Sequence, residues 1–304
     1  MRILITGSSG FLGCHLIETI LSETDHEIVA MTSRPEKLAI FSDKFPGRII
    51  IVSNERREAS VFRNVDILVN CAFPRNEDGG KMADGLCFIT DVLKNAADNG
   101  VGAVINISSQ SVYSQQRTEP ATEETPLCLE TKYAVGKYAA ELLTNTICND
   151  IPHTNLRMAS LIGAGFDQRV TNRLIDQALS GNNLHIITGN QLYGFIDVRD
   201  AAKGILELCK SDTHEWDEVY NFGCNLSYTL DDIALLICDI YSKETSQHID
   251  YTTSPSDKMI NSCMDCSKFI SLTQWKPYFQ LKDTLIWIWK NKKNLLNDIY
   301  KGAV

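Results

Sequence analysis

A chain of 304 residues is long enough for one large α/β domain, or for a nucleotide-binding domain with a smaller second domain. Hydrophobic residues make up 44% and charged residues 22%, as in an ordinary globular protein, and the net charge of −9 argues against nucleic acid or an anionic membrane surface as a partner. No apolar run approaches the roughly 18–20 residues that cross a bilayer, and the first strand pattern leaves no room for a signal peptide, so we expect a cytoplasmic protein with its ten cysteines reduced.

The chain opens with a strand pattern, a glycine turn and a helix pattern. Apolar residues Ile3–Ile5 run into glycines at Gly7, Gly10 and Gly13, and a helical apolar pattern follows over Leu12–Leu21. In dinucleotide-binding folds the first glycine permits the tight turn, the second lets backbone N–H groups reach a pyrophosphate, and the helix N-terminus supplies partial positive charge. A glycine-rich turn without a ligand is the alternative. The predicted cofactor contacts are Gly7, Ser9, Gly10, Phe11 and Leu12.

The second predicted strand, Glu27–Met31, bears on the choice of cofactor. An NAD site usually places Asp or Glu about 20 residues past the last glycine, where the carboxylate bonds the ribose hydroxyls. This chain has Ser33 and Arg34 in that region. Because the Arg34 guanidinium would meet a 2′-phosphate, the sequence favours NADP over NAD as the cofactor. The alternative for Arg34 is a solvated loop cation.

Strand and helix patterns then alternate along the first half of the chain. Short apolar strands are predicted at Arg48–Val52, Asp66–Asn70 and Ala103–Ile107, with a helix at about Lys81–Asn99. Near-continuous apolar strands suit a parallel sheet that is covered on both faces. Alternation at this spacing predicts an α/β fold of the Rossmann type, which is a doubly wound parallel sheet with right-handed crossovers.

The second half of the chain is less regular. After a helix at about Thr131–Thr146, the patterns predict strands at His153–Met158, Leu184–Ile187 and Val219–Asn221, and helices at about Val170–Leu179, after Phe195–Asp200, from Leu230 and at about Leu281–Leu296. We expect residues 1–160 to form the dinucleotide-binding domain. Residues 161–304 are expected to form mainly a smaller C-terminal α/β substrate domain, with residues at about 184–210 returning to the core fold.

Three side chains suggest acid–base chemistry at one edge of the predicted sheet. Ser109 ends a strand, and Tyr133 and Lys137 lie one turn apart on one helix face. Ligands of open α/β sheets bind outside the carboxyl ends of the strands, so these residues belong beside the glycine turn. A tyrosine with a pKa near ~10 is a poor base at neutral pH. A lysine ammonium one turn away, together with the positive charge of a nicotinamide, would lower that pKa.

This arrangement predicts proton transfer coupled to hydride transfer. Tyr133 would take a proton from a substrate hydroxyl or return one to a carbonyl, while Ser109 holds the same oxygen. Lys137 would also touch the cofactor ribose. Cys71 and Ala72 follow a strand at the same edge and are expected beside the nicotinamide ribose. The alternative for Tyr133 and Lys137 is an exposed helix pair.

Four segments together carry a resemblance to a known family. They are Thr6-Gly-Ser-Ser-Gly-Phe-Leu-Gly13, Ser108-Ser-Gln-Ser-Val-Tyr113, Tyr133-Ala-Val-Gly-Lys137 and Phe195-Ile-Asp-Val-Arg-Asp200. With them the chain resembles, over nearly its full length, the extended short-chain dehydrogenase/reductases, and among these the NAD-dependent epimerase/dehydratases of sugar nucleotides. The resemblance implies a cofactor domain and a smaller C-terminal substrate domain, which closes over the cofactor domain.

The resemblance also implies roles for particular residues. Ser109, Tyr133 and Lys137 fall on the catalytic serine, tyrosine and lysine of the family. The family resemblance further implies a homodimer that pairs through the helices near Lys81–Asn99 and Thr131–Thr146. A small-molecule substrate, in particular a nucleotide sugar, follows from the same resemblance.

Departures from the family pattern bear on the reaction. Dehydratases of the family usually have Asp and Glu, which eliminate water, directly after the residue that corresponds to Ser109. Gln110 and Ser111 stand there instead, so dehydratase activity is not expected. The resemblance then favours epimerisation at C4 or reduction of a 4-keto sugar. Arg34 favours a reductase that uses NADPH, whereas an epimerase would keep its cofactor bound through both hydride steps.

Other departures bear on the substrate. Many 4-epimerases hold the substrate diphosphate with arginines where this chain has Tyr193-Gly194 and Ser254-Pro-Ser-Asp257. A diphosphate is poorly held without bidentate partners, so other residues would have to replace these arginines. Asn172 stands where the family often has a phosphate-contacting asparagine. The candidate cations are Arg169, Arg173, Lys203 and Lys258, and the predicted substrate contacts are Gln110, Ser111, Asn172 and Arg173.

Two further functions stay open from the sequence. One is reduction of a carbonyl compound that carries no nucleotide, and the other is a sensor that binds NADP and a protein partner without turnover. The sensor is disfavoured because the catalytic serine, tyrosine and lysine are all present. No metal site is expected, because His153, His185 and His214 have no cysteine or carboxylate partner at ligand spacing.

Overall fold

The computed structural model describes residues 1–74 and 78–301, with side chains described as far as Leu295. Its strands are, in chain order, β1 (Arg2–Thr6), β2 (Glu27–Thr32), β3 (Ile49–Ser53), β4 (Ile67–Asn70), β5 (Ala103–Ser109), β6 (His153–Met158), β7 (Ser160–Ile162), β8 (Leu184–Thr188), β9 (Gln191–Leu192), β10 (Phe195–Asp197), β11 (Val219–Phe222), β12 (Tyr251–Pro255) and β13 (Ile260–Asn261). Its α-helices are α1 (Phe11–Glu23), α2 (Ala39–Lys44), α3 (Ala59–Phe62), α4 (Gly79–Asp98), α5 (Lys132–Ile147), α6 (Val170–Leu179), α7 (Val198–Lys210), α8 (Leu230–Thr245), α9 (Ser267–Thr273) and α10 (Leu281–Lys301).

Seven of the strands form one parallel sheet in the order β11-β6-β5-β4-β1-β2-β3. Successive side chains of a strand point to opposite faces, and both faces of this sheet are covered. Ile3 and Ile5 of β1 pack in the core that includes α1 and α7, whereas Leu4 packs in the core that includes α4 and α5. The predicted α/β fold of the Rossmann type, with helices on both faces of a parallel sheet, is therefore confirmed.

One predicted strand departs from the pattern of full burial. The apolar run Arg48–Val52 forms β3, which is the last strand at one edge of the sheet. In the described part of the chain, one neighbouring strand and a partial layer of helix cover it, and 49% of the Ile50 surface is exposed. A continuous apolar run therefore identified the strand, but it did not reveal its edge position.

A second core lies in the C-terminal half of the chain. Strands β8 and β12 pair in parallel, and helices α6, α8 and α10 pack around them. The core is made of side chains from all three helices, including Ile175, Ile237 and Trp289. These elements form a smaller α/β unit in the C-terminal half of the chain.

One strand beyond residue 160, β11, belongs to the large sheet, and helix α7 packs on a helix that covers it. Helix α7 packs against α1, and β11 is the strand at the other edge of the sheet, where Phe222 contacts Phe269 of α9. Strand β8, which we expected with residues 184–210 in the core fold, pairs instead with β12 in the second core. The sequence could not reveal these pairings because a parallel strand shows its burial but not its neighbour. Within the described part of the chain, no helix has the length and apolar composition that a membrane crossing requires.

Candidate active site

The glycine turn between β1 and α1 is shaped by close backbone contacts. Gly7 has φ +62°, and a Cβ placed on it would lie 2.8 Å from the backbone nitrogen of Ala72. A Cβ on Gly13 would lie 2.5 Å from the carbonyl oxygen of Gly7. Gly10, the residue before α1, has no side chain to cap the first helical turn, so that turn presents its N–H groups outward. These residues fit a dinucleotide pyrophosphate at the helix N-terminus.

The turn is fastened to the end of β2. The Ser8 hydroxyl donates to the carbonyl oxygen of Met31 at 2.8 Å, and the Ser9 and Thr32 hydroxyls lie 2.6 Å apart. Two of the predicted cofactor contacts, Phe11 and Leu12, use their side chains for packing. The Phe11 ring stacks on Phe166 with 4.7 Å between centroids, and Leu12 is buried in the core. The groups of these two residues that could bind a phosphate are therefore their backbone N–H groups.

Ser33 and Arg34 lie exposed at the carboxyl end of β2. The Arg34 backbone nitrogen donates to the Thr32 hydroxyl at 3.0 Å, which fixes the chain where it turns into a short 3-10 helix, Pro35–Leu38. The Arg34 charge acts on the Cys14 thiol of α1, whose pKa is raised by burial and lowered in part by this guanidinium. Arg34 is therefore a solvent-facing cation beside the first helix.

A buried row of polar side chains fixes the end of β4. Thr6 donates to Asn70 at 2.6 Å, Asn70 donates to Asn106 at 2.9 Å, and Asn106 donates to Asn155 at 2.8 Å. These four residues are register partners on β1, β4, β5 and β6. The Thr6 hydroxyl also accepts the backbone N–H of Ala72 at 3.2 Å. The segment after β4 is thereby held against the glycine turn.

Cys71 lies in that segment, half-buried. Burial raises the pKa of its thiol to about 12, and the Lys137 ammonium opposes the shift only in part. The thiol is therefore neutral at physiological pH. Burial therefore disfavours the thiolate form in which Cys71 would act as a nucleophile.

The three predicted catalytic residues come from one strand and one helix. Ser109 is the last residue of β5, and its Oγ accepts hydrogen bonds from the backbone nitrogen and the hydroxyl of Ser111, at 3.2 and 3.0 Å. Tyr133 lies in the first turn of α5 and is half-buried. Lys137 is only 5% exposed; its Nζ donates to the carbonyl oxygen of Ile107 at 2.7 Å and lies 6.0 Å from the centroid of the Tyr133 ring.

Phe73 is a site residue that the sequence analysis did not identify. Its ring centroid lies 4.2 Å from the Nζ of Lys137 and 5.5 Å from the centroid of the Tyr133 ring, which it meets edge to face. The available signal was its position directly after Cys71 and Ala72, at the edge where the predicted site lies. An apolar residue there gives no sign of the groups that it contacts.

A buried ionic network, also missed from the sequence, lies one helical turn beyond Lys137. The Glu141 carboxylate accepts hydrogen bonds from the Ser108 hydroxyl and from Arg157, whose Nη2 lies 2.8 Å away. Arg157 also donates to the Tyr113 hydroxyl at 2.9 Å, which donates to Asn221 at 2.8 Å. The carboxylate raises the pKa of the Arg157 guanidinium above its ordinary value. The network joins β5, β6, β11 and α5 directly behind Ser109.

The predicted substrate contacts lie in two places. Gln110 and Ser111 follow Ser109, where the Gln110 side chain accepts a hydrogen bond from Gln115 at 2.9 Å. Asn172 lies in the first turn of α6 and is fully buried. Its Oδ1 accepts a hydrogen bond from Thr171 at 3.1 Å, but its Nδ2 has no acceptor among the described residues.

The four candidate cations lie in different surroundings. Lys203 is not available to a substrate, because it pairs with Glu23 and Glu207 where α7 meets α1. Arg169 donates to the carbonyl oxygen of Leu161 and lies over the ring of Phe166, and Lys258 is exposed after β12. Arg173, directly after Asn172, is exposed, and its charge opposes the upward shift that burial gives the pKa of Tyr193.

The fold and these residues define a class of protein: a doubly wound dinucleotide-binding fold with a serine, a tyrosine and a lysine at the carboxyl edge of its sheet. The chain matches the NAD dependent epimerase/dehydratase family over residues 3–223. The chain belongs to this family, which confirms the resemblance read from its motifs.

Individual relatives are distant. The chain is 25% identical to the uncharacterized UDP-glucose epimerase YtcB of Bacillus subtilis, over 99% of this chain and 100% of that protein. It is 26% identical to a dTDP-4-dehydro-6-deoxy-D-allose reductase of a Streptomyces species, over 69% of this chain and 72% of that one. The UDP-glucuronic acid 4-epimerase of Bacillus cereus, solved with UDP-glucuronic acid and NAD, superposes with a TM-score of 0.82 at 21% identity, covering 97% and 100% of the two chains. At this low identity, the likeness to the UDP-glucuronic acid 4-epimerase shows a shared fold.

Proposed function

We propose that this protein transfers hydride at C4 of a nucleotide sugar, with Ser109, Tyr133 and Lys137 as its catalytic residues. The observation that carries the proposal is the bond from Lys137 to the carbonyl oxygen of Ile107. It joins the helix of Tyr133 to the strand that ends at Ser109, beside the segment that contacts Gly7. The proton-transferring group and the dinucleotide turn thus share one edge of the sheet.

Each residue has a part in the proposed reaction. The nicotinamide, when bound, supplies the group that accepts or donates hydride. Tyr133 gives its phenolic proton to the oxygen of a 4-keto group, or takes the proton of a 4-hydroxyl in the reverse direction. Ser109 donates a hydrogen bond to the same oxygen, and the Lys137 ammonium stabilises the phenolate by its charge.

The proposed cofactor is NADP, with NAD as the alternative. Ser33 and Arg34 occupy the end of β2, and Arg34 is exposed there. A guanidinium can form a bidentate, charge-assisted pair with the 2′-phosphate of NADP. The residues that would hold the pyrophosphate are Gly7, Ser9 and Gly10 with the first turn of α1.

The proposed substrate carries a diphosphate, which Asn172 and Arg173 would bind. Asn172 is the stronger argument, because a buried amide without an acceptor costs free energy unless a ligand supplies one. We propose no water elimination, because Gln110 and Ser111 supply no carboxylate for it. The assembly proposed from the family is a homodimer through α4 and α5.

Reduction of a 4-keto sugar is the direction that Arg34 favours, because NADPH is supplied for reduction and must exchange after each turnover. Epimerisation at C4 is the second candidate, and the likenesses to a UDP-glucose epimerase and to a UDP-glucuronic acid 4-epimerase favour it. A reductase releases its oxidised cofactor, whereas an epimerase restores its cofactor and has no need to release it.

Mass spectrometry of the nucleotide released by mild denaturation distinguishes these two candidates. A protein that is purified empty and then oxidises NADPH in the presence of a UDP- or dTDP-4-keto sugar is the result that the proposal expects. Stoichiometric, tightly held NAD⁺ would instead establish the epimerase and would remove the argument from Arg34. Failure to act on any nucleotide sugar, with turnover of a simple ketone, would contradict the proposed substrate.

A further inference from the structure

The Phe73 side chain lies between the segment after β4 and the first two turns of α5. Its ring centroid is 4.2 Å from the Lys137 Nζ, and its plane stands at 89° to the Tyr133 ring. One apolar residue thus contacts both the proposed proton donor, Tyr133, and the ammonium that is proposed to stabilise its phenolate. The segment that carries it is anchored by the hydrogen bond from Ala72 to Thr6.

Helix α5 is built to make room for this ring. Gly136 lies inside the helix, where glycine is less favourable than alanine by roughly 1 kcal/mol. A Cβ at Gly136 would lie 3.0 Å from the Cζ of Phe73 and 2.3 Å from the Sδ of Met82. The residue directly before Lys137 therefore has no side chain because Phe73 and Met82 fill that space.

The ring also compensates for the burial of a charge. Lys137 is 5% exposed, so its ammonium has lost most of its hydration, and its Nζ donates a hydrogen bond to the carbonyl oxygen of Ile107. The face of an aromatic ring attracts an ammonium at this distance, and the attraction increases where water is excluded. The ring face thus favours one position of Nζ over the others that a flexible lysine stem allows.

We propose that Phe73 is a positioning residue that fixes the Lys137 ammonium beside Tyr133; this rests on the proposed function, in which that ammonium stabilises the tyrosine phenolate. Phe73 acts through the charge of its neighbour and touches no reacting atom. Its contribution therefore belongs to kcat and not to the KM of the nucleotide sugar, because the proposed sugar contacts are other residues.

The first test replaces Phe73 by phenylalanines with one to five ring fluorines, which keep the shape of the ring and remove its negative face step by step. We expect kcat to fall progressively, by about 3- to 30-fold in all, with KM for the nucleotide sugar changed less than about twofold. The matched control is the same series at Phe45, whose ring lies 5.2 Å from Lys44 Nζ outside the site. A kcat that does not change along the Phe73 series, or a rise in KM alone, would overturn the proposal.

The second test needs no turnover and separates this proposal from the proposed function. In lysine-labelled protein, the ring current of Phe73 shifts the Lys137 side-chain resonances upfield, and Phe73→Leu should return them toward the values of exposed lysines. If the resonances do not move in Phe73→Leu, the placement of the ammonium by the ring is wrong. If they move but the natural protein turns over no 4-keto nucleotide sugar, the placement stands and the proposed function fails.

Discussion

The Lys137 ammonium donates to the carbonyl oxygen of Ile107, and the next turn of the same helix makes a bond to the next residue of the same strand. That second bond runs from the Ser108 hydroxyl to the Glu141 carboxylate. Two successive turns of α5 are thus tied to two successive residues of β5, immediately before Ser109. The helix cannot slide along the strand without breaking both bonds. The two bonds thereby fix the position of Tyr133 relative to Ser109 along the direction of the strand.

The ion pair of Glu141 and Arg157 should dominate the stability of this region. Their side chains are 3% and 7% exposed, so removing one partner leaves a buried charge unpaired. We expect Arg157→Met to lower the free energy of unfolding by about 3–5 kcal/mol, and Glu141→Leu to do the same. The double variant should recover much of this loss. Urea unfolding of the three variants measures the coupling, and additive losses would show that the pair is not one unit.

Because Gly7 lies close to Ala72, we expect Gly7→Ala to lower the free energy of unfolding by more than backbone strain alone would. Gly7→Ala places a Cβ 2.8 Å from the Ala72 nitrogen at φ +62°. Gly47→Ala is the matched control, because Gly47 has φ +77° but none of the described residues places an atom within 4 Å of the added Cβ. We expect the control to lose about 1 kcal/mol of unfolding free energy and Gly7→Ala about 2–4 kcal/mol.

The same two variants also separate strain from function. Gly7→Ala should weaken dinucleotide binding by at least about tenfold, since the turn must shift away from Ala72, whereas Gly47→Ala should bind it normally. Equal effects of the two variants in titrations with NADPH would mean that the contact between Gly7 and Ala72 does not shape the site.

The role proposed for Arg34 predicts a change in cofactor preference. Arg34→Ala should weaken NADPH binding by about 10- to 100-fold, because one charge-assisted pair contributes that much to the affinity. NADH binding should be almost unchanged. Lys44→Ala is a suitable control, because Lys44 forms an exposed pair with Glu18. Fluorescence titration with both cofactors measures the ratio. Equal loss of NADH and NADPH affinity would argue against contact with the 2′-phosphate.

The unpaired amide of Asn172 predicts opposite effects on stability and on binding. Asn172→Leu removes a buried donor that has no acceptor among the described residues, so the free energy of unfolding should rise by about 1–3 kcal/mol. The same change should weaken nucleotide-sugar binding by about tenfold or more. Thr171→Val, which removes the hydroxyl that donates to Asn172, is the control for substrate binding. Calorimetry with a UDP-sugar would contradict this role if both variants bound it equally.

Much of the fold follows from the sequence because its signals are local. Apolar periodicity located the helix Val170–Leu179 at its observed bounds, and the strand Ala103–Ile107 lies within β5. Pairing is not local: β11 lies beside β6 in the large sheet, and β8 lies beside β12. No period in a short apolar strand specifies which neighbour will cover it, and the sequence analysis placed β8 with the wrong group.

The residues of the candidate site also differ in whether the local sequence carries a signal for them. The placement of Ser109, Tyr133 and Lys137 near one edge of the sheet could be predicted, because their positions at one strand end and on one helix face carry the signal. Their catalytic roles stay a prediction. Phe73 and Glu141 could not, because each acts through contacts with residues far along the chain. An isolated aromatic residue or an acidic residue on a helix has an ordinary structural explanation until its neighbours are known.

The most direct test of the proposed function follows deuterium from the cofactor to the sugar. Incubation with NADPH deuterated at C4 of the nicotinamide and a 4-keto nucleotide sugar should give a product that carries one deuterium at its sugar C4. Tyr133→Phe should bind NADPH as the natural protein does but transfer deuterium about 100-fold or more slowly. Label at any other carbon, or undiminished transfer by Tyr133→Phe, would contradict hydride transfer at C4 with Tyr133 as the proton donor.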